Sequence, residues 1–277
     1  MVHDGTDIID KEYKNLCAEM YAKGHSFFTY ISDSADSLAS CCRLRNEVSE
    51  NTFSPTSGLT GVKTGSCNVI SLNMNRIVQD WCMSEFGEAI PGVKTSKLDS
   101  FRTYLINILE RVYKYHIAYK TMLYEWEAAG MFASSNGGYI QIKDLFSTVG
   151  INGLNEAAEF LGLKVSNNSD YIAFLQLVLG TIKEQNAIHS IRNKKKPFLF
   201  NSEVVPAEGL GVKNYNWDKE DGYWVPEGRN LYNSYFYNAH DNTSVLDKFI
   251  LHGRQTYQYT DGGFPPVSYL FVFIKRV

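Results

Sequence analysis

No sign of charge dominates this chain of 277 residues: 27 Lys and Arg stand against 30 Asp and Glu, for a net charge of −3. The pI is near 6.1. A dedicated nucleic-acid binder needs a basic face, so that class is set aside, while a small phosphorylated ligand held by a few amides and cations is not. Long apolar runs of membrane-spanning length are absent, and the N-terminus, MVHDGTDIID, is acidic where a signal peptide is basic. A cytoplasmic chain without a membrane partner is the expectation. Cysteine is sparse: Cys17, Cys41, Cys42, Cys67 and Cys82 are an odd number and match neither a disulfide framework nor zinc-ligand spacing. They read as reduced thiols, with no metal site among them. There is no internal repeat and no linker long enough to divide the chain.

What is present is enough apolar material for a core. Hydrophobic residues make up 44% and charged residues 21%, which excludes wholesale disorder. Ile9, Tyr13, Leu16 and Met20 fall at helical spacing within 7–23, and Ser26 to Ile31 reads as a buried strand. Residues 76–86 read as a helix broken by Gly87 to Gly92. The longest periodic segment is 95–129, capped by Thr95 or Ser96, with Phe101, Leu105, Ile108, Val112, Tyr119, Met122 and Trp126 on one face. Its Tyr113, Tyr115, His116 and Lys120 are expected on an outer face. Further on, 139–142 reads as a short strand after a turn at 136–138, and 154–161 as a small helix stopped by Gly162. Ser169 is expected to cap a helix carrying Ile172, Leu175, Leu179 and Ile182. Lys194 to Lys196 reads as a solvated loop, 198–205 as a strand ending at Pro206, 233–237 as another, and 244–259 as a last helix. Strands alternating with helices imply an α/β layer or barrel.

One stretch organises the rest. From Leu38 to Ile77 the chain passes the adjacent Cys41 and Cys42, then Arg43, then a Ser/Thr/Gly/Pro-rich region to Ser66, and leaves as the β-branched Asn68-Val69-Ile70-Ser71-Leu72-Asn73. A loop of that length within a compact domain is functional or disordered, and a thiol pair at its mouth points to function. The plainer reading of such a pair is two small buried hydrophobes.

Three separated blocks carry a resemblance. The first is the Cys-Arg step with the TGS-x-N-V-I-x-L-N-x-N-R-I run that follows. The second is Val205-Pro206-Ala207-Glu208 with Gly211 to Asn214 and Trp217 to Tyr223. The third is Tyr232 to Tyr237 with Val245 to Phe249 and Leu251 to Arg254. Together, over 7–263, they resemble the anaerobic (class III, glycyl-radical) ribonucleoside-triphosphate reductases. The resemblance implies part of an α/β barrel of about ten strands, two half-barrels around a central finger loop. The 277 residues are too few for the whole of it, so a partial barrel over 1–263 is expected, followed by a non-matching apolar tail, 264–277. A split gene, a frameshift or a truncation would each produce this.

The resemblance also implies chemistry. Cys42, before Arg43, matches the cysteine that becomes a thiyl radical and takes the ribose 3′-hydrogen, and Cys41 is the second candidate. Pro206, Ala207, Glu208 and Gly209 fall where the family approaches its substrate, with an ordinary strand-ending turn as the alternative. Cys67 is either an auxiliary thiol or an inert core residue, and Cys17 and Cys82 read as core. The family's glycyl radical and structural zinc belong to a C-terminal part with no counterpart here, since no cysteine lies beyond Cys82. ATP and dNTP effectors, a ribonucleoside triphosphate substrate, a radical-SAM activating enzyme and a homodimer are implied as well. Formate users carry an asparagine before the exit strand; here Lys63-Thr64-Gly65-Ser66 stands there, which favours a thioredoxin-like reductant over formate. A chain inactive alone is expected, or else a non-catalytic remnant that binds nucleotide or an intact subunit.

Overall fold

Three parallel strands form the centre of the molecule, β5 (Ser66–Asn73), β6 (Phe146–Asn152) and β7 (Leu199–Val204), in the order β5-β6-β7. The computed structural model describes residues 2–3, 11–23, 30–31, 37–39, 45–47, 65–92, 98–193, 195–204, 208–233, 235–237, 247 and 251. Before the sheet come β1 (Val2–His3), α1 (Lys11–Ala22), β2 (Tyr30–Ile31), β3 (Ser37–Ala39) and β4 (Arg45–Glu47). β1 pairs with β2 in parallel, and β3 with β4 antiparallel, Ala39 opposite Arg45.

Parallel neighbours need a crossover, and helices supply both. β5 reaches β6 through α2 (Met74–Phe86), α3 (Leu98–Ala128), the single turn α4 (Ala133–Asn136) and a 3-10 turn, Ile142–Asp144. β6 reaches β7 through α5 (Leu154–Phe160) and α6 (Ser169–His189), and β7 is followed by α7 (Glu208–Glu220). α2 starts where the Asn73 side chain accepts from Arg76 N, and it ends at Gly87, whose φ of +77° an L side chain rarely adopts. The helices cover one face of the sheet. Leu72, Val149, Ile151 and Phe200 meet Trp81, Phe101, Leu105, Phe174 and Val178 in the main core. Trp81 and Phe101 pack edge-to-face at 5.2 Å between centroids, and each buried side chain of this size contributes about 1.5–3 kcal/mol.

Several expectations are corrected. The inward face of α3 follows Phe101, Leu105, Leu109, Val112, Tyr113, His116, Lys120, Leu123 and Tyr124, so Tyr113, His116 and Lys120 are buried and only Tyr115 of the four is outward. Tyr119 and Trp126, placed on the core face by spacing, are exposed. Residues 139–142 form no strand, and 142–144 is a 3-10 turn instead. The cap of α6 is Asn168, accepting from the N–H groups of Asp170 and Tyr171, rather than Ser169. The segment 235–237 is a bend, because its aromatic side chains pack into the core without a ladder. The central strand β6, residues 146–152, is absent from the expectations drawn from spacing, which run from a turn at 136–138 to a helix at 154–161. The expected caps at 95–96 and most of the helix at 244–259 lie outside the described residues.

Candidate functional site

The C-terminal ends of parallel strands gather the groups that follow them, which makes that edge the usual place for a ligand in an α/β sheet. Here Asn73 of β5 stands in register with Asn152 of β6. The turns beyond them lead into α2 and α5, and α7 starts beyond β7.

A buried carboxylate ties this edge together. Asp218, on α7 and with no solvent exposure, accepts from four donors: Asn73 Nδ2 at 2.9 Å, Asn75 Nδ2 at 3.1 Å, Arg76 Nε at 2.7 Å and the Tyr232 hydroxyl at 2.7 Å. Asn75 Nδ2 also lies 2.7 Å from the Tyr232 oxygen and 3.0 Å from the Trp224 carbonyl. Burial, then the Asp218 hydrogen bond, hold the Tyr232 phenol well above its ordinary pKa, so it stays a donor. Arg76 reaches on to Asp221 at 2.6 Å and lies over the Tyr223 ring. Beside this hub, Asn214 of α7 donates to Asn152 Oδ1 at 2.9 Å, and Gly153 N donates to the Asn233 carbonyl. Glu156, fully buried, accepts from Asn233 N at 3.1 Å, Asn233 Nδ2 at 2.7 Å and Arg229. Burial pushes the Glu156 carboxyl up to about 7 against the pull of those donors and of Arg229.

The sheet face turned away from the helices is polar, which is unusual for parallel strands buried on both sides. Register puts Val69, Thr148 and Asn201 in one row and Ser71, Gly150 and Glu203 in the next. Thr148 donates to Asn201 Oδ1 at 2.7 Å, so the 2.5 Å contact between Ser66 and Thr148 has Ser66 as donor, since Thr148 has a single hydroxyl proton. Asn201 Nδ2 in turn faces Glu203 Oε1 at 3.4 Å. Thr148 and Asn201 are fully buried and Glu203 is 4% exposed.

Of the residues expected from the sequence, Cys41, Cys42, Pro206 and Ala207 lie outside the described residues. In sequence the cysteines fall between the paired strands β3 and β4. Glu208 and Gly209 open α7 rather than closing a strand in a turn, and a Cβ on Gly209 would meet nothing within 4 Å. Cys67 turns to the helix side, where it packs near Leu123 and Tyr124 and donates to the Phe146 carbonyl at 3.2 Å; burial pushes its thiol up. Cys67 is half-buried against this small cluster, while Cys17 and Cys82 are buried as core residues. Nearby, Lys120 donates to the Leu145 carbonyl, and burial lowers its pKa. His116 shares a 3.4 Å contact with Asn68, and burial drives its imidazole down to about 4 against a smaller opposing effect of the Thr148 backbone. Among the described residues no three His, Cys, Asp or Glu side chains gather as a metal site, so none fits the zinc that the resemblance assigns elsewhere, and no helix is long and apolar enough to cross a membrane. Sequence reasoning missed Asn73, Asn75, Arg76 and Asp218 as partners. The signal was the density of Asn and Arg directly after an apolar strand.

Comparison with known proteins gives a consistent picture. The family model for anaerobic ribonucleoside-triphosphate reductase matches residues 1–273. No curated protein matches. Among solved structures, the anaerobic ribonucleotide reductase from Thermotoga maritima with citrate in the active site is similar at 18% identity and a TM-score of 0.68, covering 95% of this chain and 45% of its own. The same enzyme in complex with dATP and CTP gives 20% identity and 0.68, covering 99% of this chain and 44% of its own. Another anaerobic ribonucleotide reductase gives 18% and 0.68, with 100% and 42% covered. The chain thus spans less than half the length of these structures, and at such identities the likeness speaks for the fold.

Proposed function

We propose, from the premise that this chain belongs to the anaerobic ribonucleoside-triphosphate reductase family, that it forms part of a catalytic barrel making deoxyribonucleotides by thiyl-radical chemistry. The observation that supports this reading is the meeting of three sequence blocks at one sheet edge. Asn73, Asn75 and Arg76 of the first, Asp218 of the second and Tyr232 of the third share one hydrogen-bonded hub, although Asn75 and its partner Tyr232 are 157 residues apart. Distant segments that resemble one family in order, and then close on one another, point to a common site.

In this reading Cys42, or Cys41 in second place, carries the radical. Its thiyl form takes the hydrogen from the ribose 3′ carbon, making an S–H bond and leaving a carbon radical. The neighbouring 2′-hydroxyl then leaves as water, with one proton added, and two electrons and a further proton come from a thioredoxin-like dithiol or from formate. The hydrogen finally returns from sulfur to the 3′ carbon. The family's glycyl radical, formed by a radical-SAM activating enzyme, supplies the first oxidation of the cysteine. What this chain adds is the cysteine-bearing loop, the strand β5 that carries it away, and the substrate segment Pro206 to Gly209. At the start of α7 the first-turn N–H groups, which have no acceptor within the helix itself, suit triphosphate oxygens, and Gly209 leaves room for them. A homodimer and nucleotide effectors belong to the same reading.

Anaerobic assay decides it. The 277-residue chain with activase, dithiol and substrate should form no deoxyribonucleotide alone, and should do so with a complementing C-terminal segment of a family member. Cys42→Ser should then abolish turnover, while Cys82→Ser, in the buried core, retains most of it. Turnover that survives both Cys42→Ser and Cys41→Ser would overturn the reading.

A further inference from the structure

The loop that joins α6 to β7 carries charge that the chemistry above leaves unused. Arg192, Lys194, Lys195 and Lys196 put four cations and no anion into five residues. Taking those 4 from the 27 basic residues leaves 23 against 30 acidic ones, a net of −7 for the rest of the chain. The loop is thus a basic point on an acidic molecule.

Its shape is held by hydrogen bonds. Ile191 and Phe198 exchange both backbone bonds, at 2.8 and 2.9 Å, and close a short hairpin. Inside it the Asn193 side-chain oxygen accepts from Lys195 N at 3.0 Å and from Lys196 N at 2.6 Å. The base is tied to α3, where the Tyr124 hydroxyl donates to the Pro197 carbonyl at 2.6 Å and Lys196 Nζ lies 5.7 Å from the centre of the Tyr124 ring. Arg192, Lys195 and Lys196 are exposed, and among the described residues none of the three forms an ion pair. Two aliphatic side chains flank them: Ile188, 64% exposed in the last turn of α6, and Ile191, 48% exposed. Solvated cations need no such neighbours, whereas a docking surface combines apolar contact with a charged rim. The hairpin stands at the N-terminal end of β7, on the opposite edge of the sheet from the Asp218 hub, so an occupant leaves that hub open.

We infer that this hairpin docks a short acidic segment of a partner protein. Its carboxylates meet Arg192, Lys195 and Lys196, and an aliphatic or aromatic side chain seats on Ile188 and Ile191. The inference stands apart from the reduction chemistry. A nucleic-acid strand fits less well, for two reasons. Its charge continues along its length and would run on over the acidic remainder, whereas a short acidic segment ends where the cations end. Aliphatic side chains also offer bases no stacking platform.

The test uses the full 277-residue chain and a fluorescein-labelled peptide, Glu-Leu-Glu-Glu-Phe-Glu-Asp, followed by fluorescence anisotropy. The peptide should bind, and raising salt from about 50 to about 500 mM should weaken it at least about fivefold. The same peptide with Gln and Asn for its acids should not bind. Arg192→Glu with Lys195→Glu should weaken binding by at least about tenfold, and Ile191→Ser by about threefold, with circular dichroism unchanged. Lys11→Glu with Lys213→Glu, the same change of charge placed on α1 and α7, should leave it within about twofold. No binding of the peptide, or equal losses in the two double variants, overturns the inference. So does oligothymidylate that binds the hairpin more tightly than the peptide, which would hand the surface to nucleic acid.

Discussion

Asp218 shows how much a single side chain can hold when it is buried with the right neighbours. Its four donors come from the end of β5, from α2 and from Tyr232, and removing it takes the shared acceptor from Asn73 Nδ2, Asn75 Nδ2, Arg76 Nε and the Tyr232 hydroxyl at once. Asp218→Ala is expected to lower stability by about 3–5 kcal/mol, read from the urea midpoint. Asp221→Ala is the control: that partner of Arg76 is 56% exposed, and its loss should change stability by less than about 1 kcal/mol. Two other buried groups set the pH response, in opposite senses. His116 has a folded value of about 4, below its ordinary 6.5, so the stability it contributes is complete above pH 6.5 and is lost as pH falls through 4. Glu156 is raised from 4.5 to about 7, so its contribution is complete below pH 4.5 and is lost as pH rises through 7. Unfolding midpoints followed across both windows should show His116→Gln flattening the acid limb and Glu156→Gln the neutral one; the reverse assignment would refute this account.

Elements differ in how plainly their residues announce them. α2 and α6 were legible because apolar residues recur at helical spacing between clear stops, and β7 because a β-branched and aromatic run ends before proline. β6 was not, since FSTVGIN puts Thr148 and Asn152 on the polar sheet face and Ser147 on the helix side, so apolar and polar residues do not alternate cleanly, and Gly150 in its middle imitates a turn. The first half of α3 was read correctly, whereas the second half turned out rotated, because His116 and Lys120 occupy inward positions that spacing rules reserve for aliphatics. α7 was hidden by its glycines. Those glycines differ in kind. A Cβ at Gly211 would lie 2.5 Å from the Tyr232 carbonyl oxygen, so the close approach of α7 to that segment depends on its absence, while Gly209 has open space. Gly211→Ala should therefore destabilise the protein, and Gly209→Ala should stabilise it by about 0.5–1 kcal/mol through helix propensity, both measured by thermal melting. At the site, the family resemblance singled out the segments that form β5 and α7, but it could not show which polar side chains touch; that depends on contacts between residues far apart in sequence.

For the molecule as a whole, sheet edges and tail govern behaviour in solution. β5 and β7 each pair on one side only among the described strands, and an open strand edge templates association. Tyr269 to Ile274 is six apolar residues of high β-propensity without charge or proline, and Lys275 and Arg276 guard only one end. Size-exclusion chromatography should show the chain self-associating, and deletion of 264–277 should reduce this without creating activity. A monodisperse full chain beside a precipitating deletion would contradict both points. The Asp218 hub carries a last consequence, for biosynthesis. Asn73 and its acceptor are 145 residues apart, and Tyr232 follows later still. During translation β5 is therefore made long before Asp218 can lock its end, and the nascent polypeptide must keep the Asn- and Arg-bearing first turn of α2 solvated until α7 emerges. Such late closure of distant contacts is slow and exposes intermediates, so the yield of folded protein should be governed by chaperone supply and growth temperature more than by the stability finally reached.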